Sequence, residues 1–377
     1  MREDSCYNHT MKQTKQTTEK KLALLTGPLL AWYRENARDL PWRRTDDPYR
    51  IWVSEIMLQQ TRVAAVLGYY DRFLESFPTV EALAGAPEEL LLKRWEGLGY
   101  YSRARNLQKA AQLVMERYGG RFPTDYDALR TLPGIGEYTA GAVASAAFGV
   151  REPAVDGNVL RVVTRITDCH DDIADPKTKR DIRQQVAAAM PARAEDIRVY
   201  NQAVMELGAT VCVPNGAPKC TLCPAQPLCL ARERGTIAQL PVKAPKKERR
   251  REGKTVFLLL RDCKVALRRR SDSGLLAGLW EFPNVEGVLE EAAAASVLAG
   301  WGLEIKAWEK QLSAKHIFSH VEWEMTGYSL QVTGEGPAEI LWADAETLER
   351  CAVPSAFAKY YAEAKKLLSA ERSGGTL

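Results

Sequence analysis

The sequence predicts a multidomain protein, an all-α domain followed by a smaller α+β domain, and three observations carry that expectation. From Leu22 to about Arg234 apolar residues recur at intervals of three and four, as in Ile51, Trp52, Ile56, Val63, Val66 and Leu67. Beyond a basic run the pattern changes to alternation, the period of strands. Between the two lie four closely spaced cysteines, Cys212, Cys220, Cys223 and Cys229. A length of 377 residues suits two domains. The expected layout is a disordered tail over 1–21, a helical domain over 22–234, a basic linker over 235–253, the α+β domain over 254–368 and a second tail over 369–377.

Within the helical domain, loops are marked by Leu40-Pro41, Phe77-Pro78-Thr79, Gly119-Gly120 and Phe122-Pro123, which divide it into about ten helices. Thr79 and Thr124 each follow a proline and are expected to cap a helix. In the second domain, Thr255–Leu260 and Val265–Leu267 form a strand pair around Asp262-Cys263. Gly278–Pro283 forms a loop and strand, Leu289–Leu298 is an Ala-rich helix, and Phe318–Val332 alternates again as strands.

Charge and cysteine usage narrow the function classes. The net charge is only +4, yet Lys243–Lys254 carries seven Lys and Arg against two Glu, a solvated linker that can also touch a polyanion. Eight cysteines, half of them in one cluster, do not make a secreted disulfide framework and point to a reducing cytoplasmic compartment. The first twenty residues lack the apolar core of a signal peptide, and no apolar run approaches membrane-spanning length. Four thiolates this close suit a tetrahedral zinc or an iron–sulfur cluster, and spacing alone does not choose between them. The long first loop and helical surroundings fit a [4Fe–4S] cluster better.

Two further segments carry chemistry. In Leu132-Pro133-Gly134-Ile135-Gly136 the glycines permit a tight turn whose N–H groups, at a helix start, can grip a phosphate. Glu55 has Ile51, Trp52 and Leu58 as helical neighbours, and a carboxyl among apolar groups tends to keep its proton.

Leu132–Gly136 resembles the helix-hairpin-helix of DNA repair glycosylases. The resemblance gathers other residues. Asp156, about twenty residues on in Asp156-Gly157-Asn158, matches the family's catalytic carboxylate. Trp52–Arg62, which contains Glu55, Gln60 and Thr61, is similar to the adenine-specific, MutY-type branch, and implies Glu55 as general acid. Lyases of the superfamily place a Schiff-base lysine where this chain has Tyr138, so the match implies base removal without efficient strand cleavage. Trp42 and Arg43 resemble residues lining the adenine pocket and backbone, and Leu98, Gly99 and Tyr100 the wedge beside the opposite base. Asn158 and Gln202 map to polar positions at the flipped nucleotide. The four cysteines map to the family's [4Fe–4S] ligands, although seven residues separate Cys212 from Cys220 where the family has six, a bulge that Gly216 can absorb.

Leu276–Pro283 resembles the turn of the family's Nudix-like C-terminal domain, and Phe318-Ser319-His320 the loop that contacts 8-oxoguanine there. A working Nudix hydrolase needs an acidic metal-binding helix, and this chain offers only Glu290 and Glu291 before four alanines, so the domain is expected to read rather than catalyse. The resemblance therefore implies a monomeric, monofunctional adenine DNA glycosylase. Its expected partner is double-stranded DNA with adenine opposite 8-oxoguanine or guanine, with no membrane involved. Its rivals are an endonuclease III-like glycosylase-lyase, a non-catalytic DNA-binding iron–sulfur sensor and a nucleotide pyrophosphatase.

Overall fold

The computed structural model describes residues 3–244 and 248–374. Two units pack separately, Met1–Gly85 with Asn106–Pro245, and Ala86–Arg105 with Lys246–Leu377. The helical region is therefore not the single block over 22–234 that periodicity predicts. Residues 86–105 are tied into the second unit by Lys93 Nζ donating to Cys351 O (3.0 Å), Val353 N–H to Glu96 Oε1 (2.9 Å) and Arg105 Nη2 to Ala277 O (2.9 Å).

Twelve α-helices occupy the N-terminal two-thirds among the described residues: α1 (Glu3–Asn36), α2 (Pro48–Leu58), α3 (Val63–Ser76), α4 (Val80–Ala84), α5 (Glu88–Trp95), α6 (Ser102–Tyr118), α7 (Tyr126–Arg130), α8 (Glu137–Phe148), α9 (Gly157–Thr167), α10 (Pro176–Ala189), α11 (Ala194–Thr210) and α12 (Leu230–Arg234). Leu22, Leu25, Leu29 and Tyr33 share one face of α1 and bury against α9, α10 and α11. Residues 3–21, expected as a disordered tail, are helical backbone that continues this element, in keeping with the good helix propensity of Lys, Gln and Glu. Thr79 caps α4 as expected, accepting from Ala82 N–H (3.2 Å). Thr124 does not cap α7. Asp125 does, accepting from Ala128 N–H (2.8 Å), since a carboxylate one residue later satisfies the same orphan donor. No described helix is long and apolar enough to cross a membrane.

The second unit is built on a seven-stranded mixed sheet, β1 (Arg250–Arg261), β2 (Lys264–Arg269), β3 (Trp280–Glu281), β4 (Asn284–Glu286), β5 (Glu304–Ile317), β6 (Val321–Thr333) and β7 (Ile340–Ala343). The main path runs β3-β2-β1-β6-β5, with β4 also on β1 and β7 on β2. Among the described residues, only β1 and β6 pair in parallel. Asp262 and Cys263 both take positive φ in the β1–β2 turn, the conformation whose twist suits a two-residue hairpin. Alternate residues of β1 feed two cores: Val256 and Leu258 pack with Phe357 and Tyr360 of the C-terminal segment, Phe257 and Leu259 with the helix α13 (Glu291–Gly300). Helices α14 (Ala345–Arg350) and α15 (Ala358–Gly374) complete the unit, α15 running through 369–374, where a frayed end is expected.

The basic linker also ends earlier than expected. Arg250 and Arg251 already pair with Val321 and Glu322, so the run's second half is strand, while Lys246 and Lys247 lie outside the described residues. Strand β5 has no counterpart in the sequence reading, because register shifts break its alternation and most of its residues are exposed.

Candidate active site

Helix α2 starts sharply, with Asp47 accepting from Tyr49 N–H (2.9 Å) and Pro48 in its first turn. Its inward face carries Glu55, which is 9% exposed. Tyr138, in the first turn of α8, points its hydroxyl at Glu55 Oε2 (2.6 Å) and lies 3.3 Å from Met205 Sδ. Burial pushes the Glu55 carboxyl up to about 7, opposed by the Tyr138 hydrogen bond. Tyr138 is itself held well above the usual phenol range by burial, so it stays an O–H donor at neutral pH.

Asp156 caps α9. Its Oδ1 accepts from Asn158 N–H (2.9 Å) and Val159 N–H (2.8 Å), and its Oδ2 from Asn158 Nδ2 (2.7 Å). The strand-like approach to this cap lies hard against α8, where a Cβ on Gly141 would come within 2.4 Å of Pro153 O, which explains the small residues of that helix. Asn201 stitches the same segment, accepting from Ala154 N–H (3.0 Å) and donating to Ser145 Oγ (2.8 Å) and Glu152 O (2.9 Å). Burial raises the Asp156 carboxyl above its ordinary range, and the Val159 and Asn158 donors oppose that rise.

The opposite wall is polar and ionised. Glu206 of α11 accepts from Arg38 Nε (2.7 Å) and Nη2 (2.7 Å) and from Arg43 Nη2 (2.7 Å). Although burial alone would raise it, these two guanidiniums bring the Glu206 carboxyl down to about 2. Trp42 is both core and wall, 5% exposed and edge-on to Tyr70 at 5.3 Å.

These groups face one cleft of about 850 Å³. It is lined by Trp42, Arg43, Glu55, Gln60, Thr61, Tyr138, Asp156, Asn158 and Gln202, all of them candidates from sequence. Sequence reasoning missed Arg38, Met205 and Glu206 in the same wall. Glu206 lies one helical turn beyond Gln202, so α11's periodicity was the available signal. Arg161 was missed too: it donates to Asn158 Oδ1 (2.8 Å), Gly208 O (2.7 Å) and Cys212 O (2.8 Å), joining the Asp156 turn to the cysteine loop. Gly134 takes φ +76° beside Asn106, and Gly136 starts α8 without a side-chain cap, leaving its first turn open to an anion.

The four cysteines Cys212, Cys220, Cys223 and Cys229 line a single cavity with Val162, Leu207 and Val211. No three His, Cys, Asp or Glu side chains among the described residues converge at single-ion distance. Burial pushes the Cys223 thiol up to about 12, and the three neighbouring cysteines add to the rise. Arg165 Nη1 donates to Cys212 Sγ (3.4 Å). Four sulfur donors crowded into an apolar pocket fit a positively charged iron–sulfur core, which stabilises thiolates that burial alone opposes. Within the loop between Cys212 and Cys220, Gly216 takes φ +75° and Lys219 N–H closes the base on Val211 O (3.0 Å).

The remaining candidates belong to the second unit. Tyr100 is 45% exposed, adopts φ +47° after Gly99 at φ +68°, and its hydroxyl shares a hydrogen bond with Ser319 Oγ (2.6 Å). Tyr100, Gly99, Phe318, Ser319 and His320 line a cavity of about 320 Å³. Leu98 is buried instead of presented, its side chain serving as the root of the loop. Helix α13 carries Glu291 in its first turn and no further carboxylate.

Comparison with known proteins gives concordant matches. Residues 53–188 match the HhH-GPD superfamily of base excision DNA repair proteins, and residues 255–363 a NUDIX domain. The chain is 36% identical to the adenine DNA glycosylase of Homo sapiens over 407 positions, covering 89% of this chain and 73% of that protein. It is 32% identical to the adenine DNA glycosylase of Buchnera aphidicola, covering 78% and 82% respectively. Among solved structures, a thermostable thymine-DNA glycosylase is similar, with TM-score 0.50 and 30% identity, over 58% of this chain and 99% of that one.

Proposed function

This chain belongs to the adenine DNA glycosylase family, and we propose that its substrate is duplex DNA with adenine opposite 8-oxoguanine or guanine, cleaved at the N-glycosidic bond without strand scission. The observation that carries the reading is the buried Glu55 carboxyl, oriented by the Tyr138 hydroxyl and facing the same cleft as capped Asp156.

Adenine stacked in a duplex cannot reach such a cleft, so it flips out, at a few kcal/mol that a mispair reduces. Glu55 protonates the leaving base at N7, since an acid near neutrality is both loaded and willing to release its proton. The C1′–N9 bond then breaks through an oxocarbenium-like state, which ionised Asp156 stabilises from its cap. Water, or first Asp156 itself, captures the sugar, as in glycosidases that work with two carboxyls. Glu206 holds Arg38 and Arg43 at the cleft, a wall of guanidinium donors suited to the ring nitrogens of a base.

A phenol stands at Tyr138 where a lyase needs an amine, which supports base removal alone. Trp42, Gln60, Thr61, Asn158 and Gln202 contact the flipped nucleotide and its strand, and Gly134 and Gly136 grip a phosphate. Leu98, Gly99 and Tyr100 support the gap in the stack, and Phe318, Ser319 and His320 read the opposite base. A [4Fe–4S] cluster on Cys212, Cys220, Cys223 and Cys229 supplies a rigid anchor for the loop, and hydrolysis uses none of its electrons. The enzyme acts as a monomer in a reducing compartment.

Single-turnover cleavage of a labelled duplex with adenine opposite 8-oxoguanine tests this. Breaks that require hot alkali, vanish in Asp156→Asn and are absent with thymine in place of adenine are expected. Breaks without alkali overturn the monofunctional assignment, and no adenine release from iron-replete protein overturns the enzyme reading.

A further inference from the structure

Tyr33 of α1 is 6% exposed and stands behind the cleft wall. Its hydroxyl donates to Gln202 Oε1 (2.7 Å), and the Arg43 guanidinium lies over its ring, 5.5 Å from the centroid. Arg43 is the same side chain that grips Glu206 and also donates to Arg38 O (3.1 Å). One phenol thus touches two of the polar groups that face the substrate.

The consequence lies in the chemistry of an amide. Turning the Gln202 head group by half a revolution exchanges a carbonyl acceptor for an NH₂ donor without changing its shape. A phenol is a good donor and a poor acceptor, because its oxygen lone pair is shared with the ring. The cation over the ring strengthens that bias, and Arg43 draws the Tyr33 hydroxyl toward greater acidity against the rise that burial imposes. With Oε1 committed to Tyr33, Nε2 is the group Gln202 has left to offer in the cleft that it lines.

We propose that Tyr33 is a positioning residue that sets the hydrogen-bond polarity of the cleft wall, holding Gln202 as a donor to a ring-nitrogen acceptor of the flipped base while supporting Arg43 on Glu206. The inference rests on the adenine glycosylase reading and adds a specificity determinant to it. It selects for a base with an unprotonated ring nitrogen at that wall and against one that presents N–H there.

The test compares single-turnover rates on duplexes carrying adenine, 1-deazaadenine or 3-deazaadenine opposite 8-oxoguanine, in the intact iron-loaded protein. Tyr33→Phe keeps the ring under Arg43 and removes only the hydroxyl. Its adenine rate is expected to fall about 3- to 10-fold, the loss of one neutral hydrogen bond. One deaza substrate should be penalised in the wild type by a similar factor, and that penalty should collapse to within twofold in Tyr33→Phe, because a freed amide no longer favours the nitrogen. A merely structural role would slow all three substrates alike. In a Gln202→Met background, adding Tyr33→Phe should change the adenine rate by less than twofold. Equal deaza penalties in wild type and Tyr33→Phe, or independent effects of the two substitutions, would overturn the proposal. Wild-type protein that releases no adenine would instead sink the underlying function.

Discussion

Replacing Tyr138 by Phe isolates one hydrogen bond from the packing around it. The ring still fills the space between α2 and α8, so Glu55 remains buried, but the donor 2.6 Å from Oε2 is gone. A hydrogen bond to an ionised group contributes about 1.5–3 kcal/mol, and the protonated carboxyl keeps part of that. The anion therefore loses about 1.5 kcal/mol relative to the acid, or roughly one pKa unit at 1.36 kcal/mol per unit. The sign follows from which form is favoured. Tyr138 lowers the Glu55 pKa, so deleting its hydroxyl makes the proton harder to lose. A general acid works while protonated, so the rate is high at low pH and falls as pH rises through the pKa. Single-turnover adenine release between pH 5 and 9 should show this alkaline limb near 7 in the wild type and about one unit higher in Tyr138→Phe. In Glu55→Gln the rate should drop about 10²- to 10⁴-fold and the limb should vanish. A limb that stays in place or moves to lower pH in Tyr138→Phe would refute the assignment of Glu55 as the titrating acid.

Three other outcomes follow from the same geometry. Asp156→Asn keeps an acceptor at the cap, so melting should shift by less than about 1 kcal/mol equivalent while adenine release falls at least about 10³-fold, measured by calorimetry and single turnover. Gly134→Ala puts a Cβ at φ +76° and 2.9 Å from Asn106 Cβ, so it should cost about 1–3 kcal/mol of stability and weaken duplex binding in fluorescence anisotropy. Glu206 sits at about 2 when folded, below its ordinary value near 4.5, so its stabilising contribution is complete above about pH 4.5 and disappears as pH falls through 2. The melting difference between wild type and Glu206→Gln should accordingly be largest near neutrality and shrink across that acid window.

What was legible in the sequence was whatever a single helix or turn carries. Glu55 announces itself by its apolar neighbours one turn away, and Asp156 by its place before Gly157 and Asn158. Illegible were partnerships that only tertiary folding creates. Arg38 meets Glu206 across 168 residues of chain and Tyr33 meets Gln202 across 169, and neither spacing has a period to detect. Strand β5 escaped because register shifts between Ile305 and Ala307 and between Trp308 and Lys310 break its alternation midway, and most of its residues are exposed as on other sheet edges. The block 86–105 reads as one more helical stretch, yet Lys93, Glu96 and Arg105 fasten it to the second unit through backbone groups that sequence does not display.

The cleft contains three carboxylic acids whose protonation is set by the kind of partner each has. Glu206 has two guanidiniums and is held as an anion at any ordinary pH. Asp156 has backbone and amide donors at a helix start, which favour its charge while burial resists it. Glu55 has a single hydroxyl among apolar side chains, and burial wins, placing its titration near neutrality. Separating the pKa values of neighbouring carboxyls is what lets one give a proton while another stabilises a cation. Glu206 and Glu55 differ in the number and charge of their donors, so adding a cation beside Glu55 would erase the distinction. Tyr138, neutral and a donor, supplies orientation to Glu55 without supplying charge. A lysine in its place would hold Glu55 ionised and leave the cleft without an acid ready to protonate the leaving base.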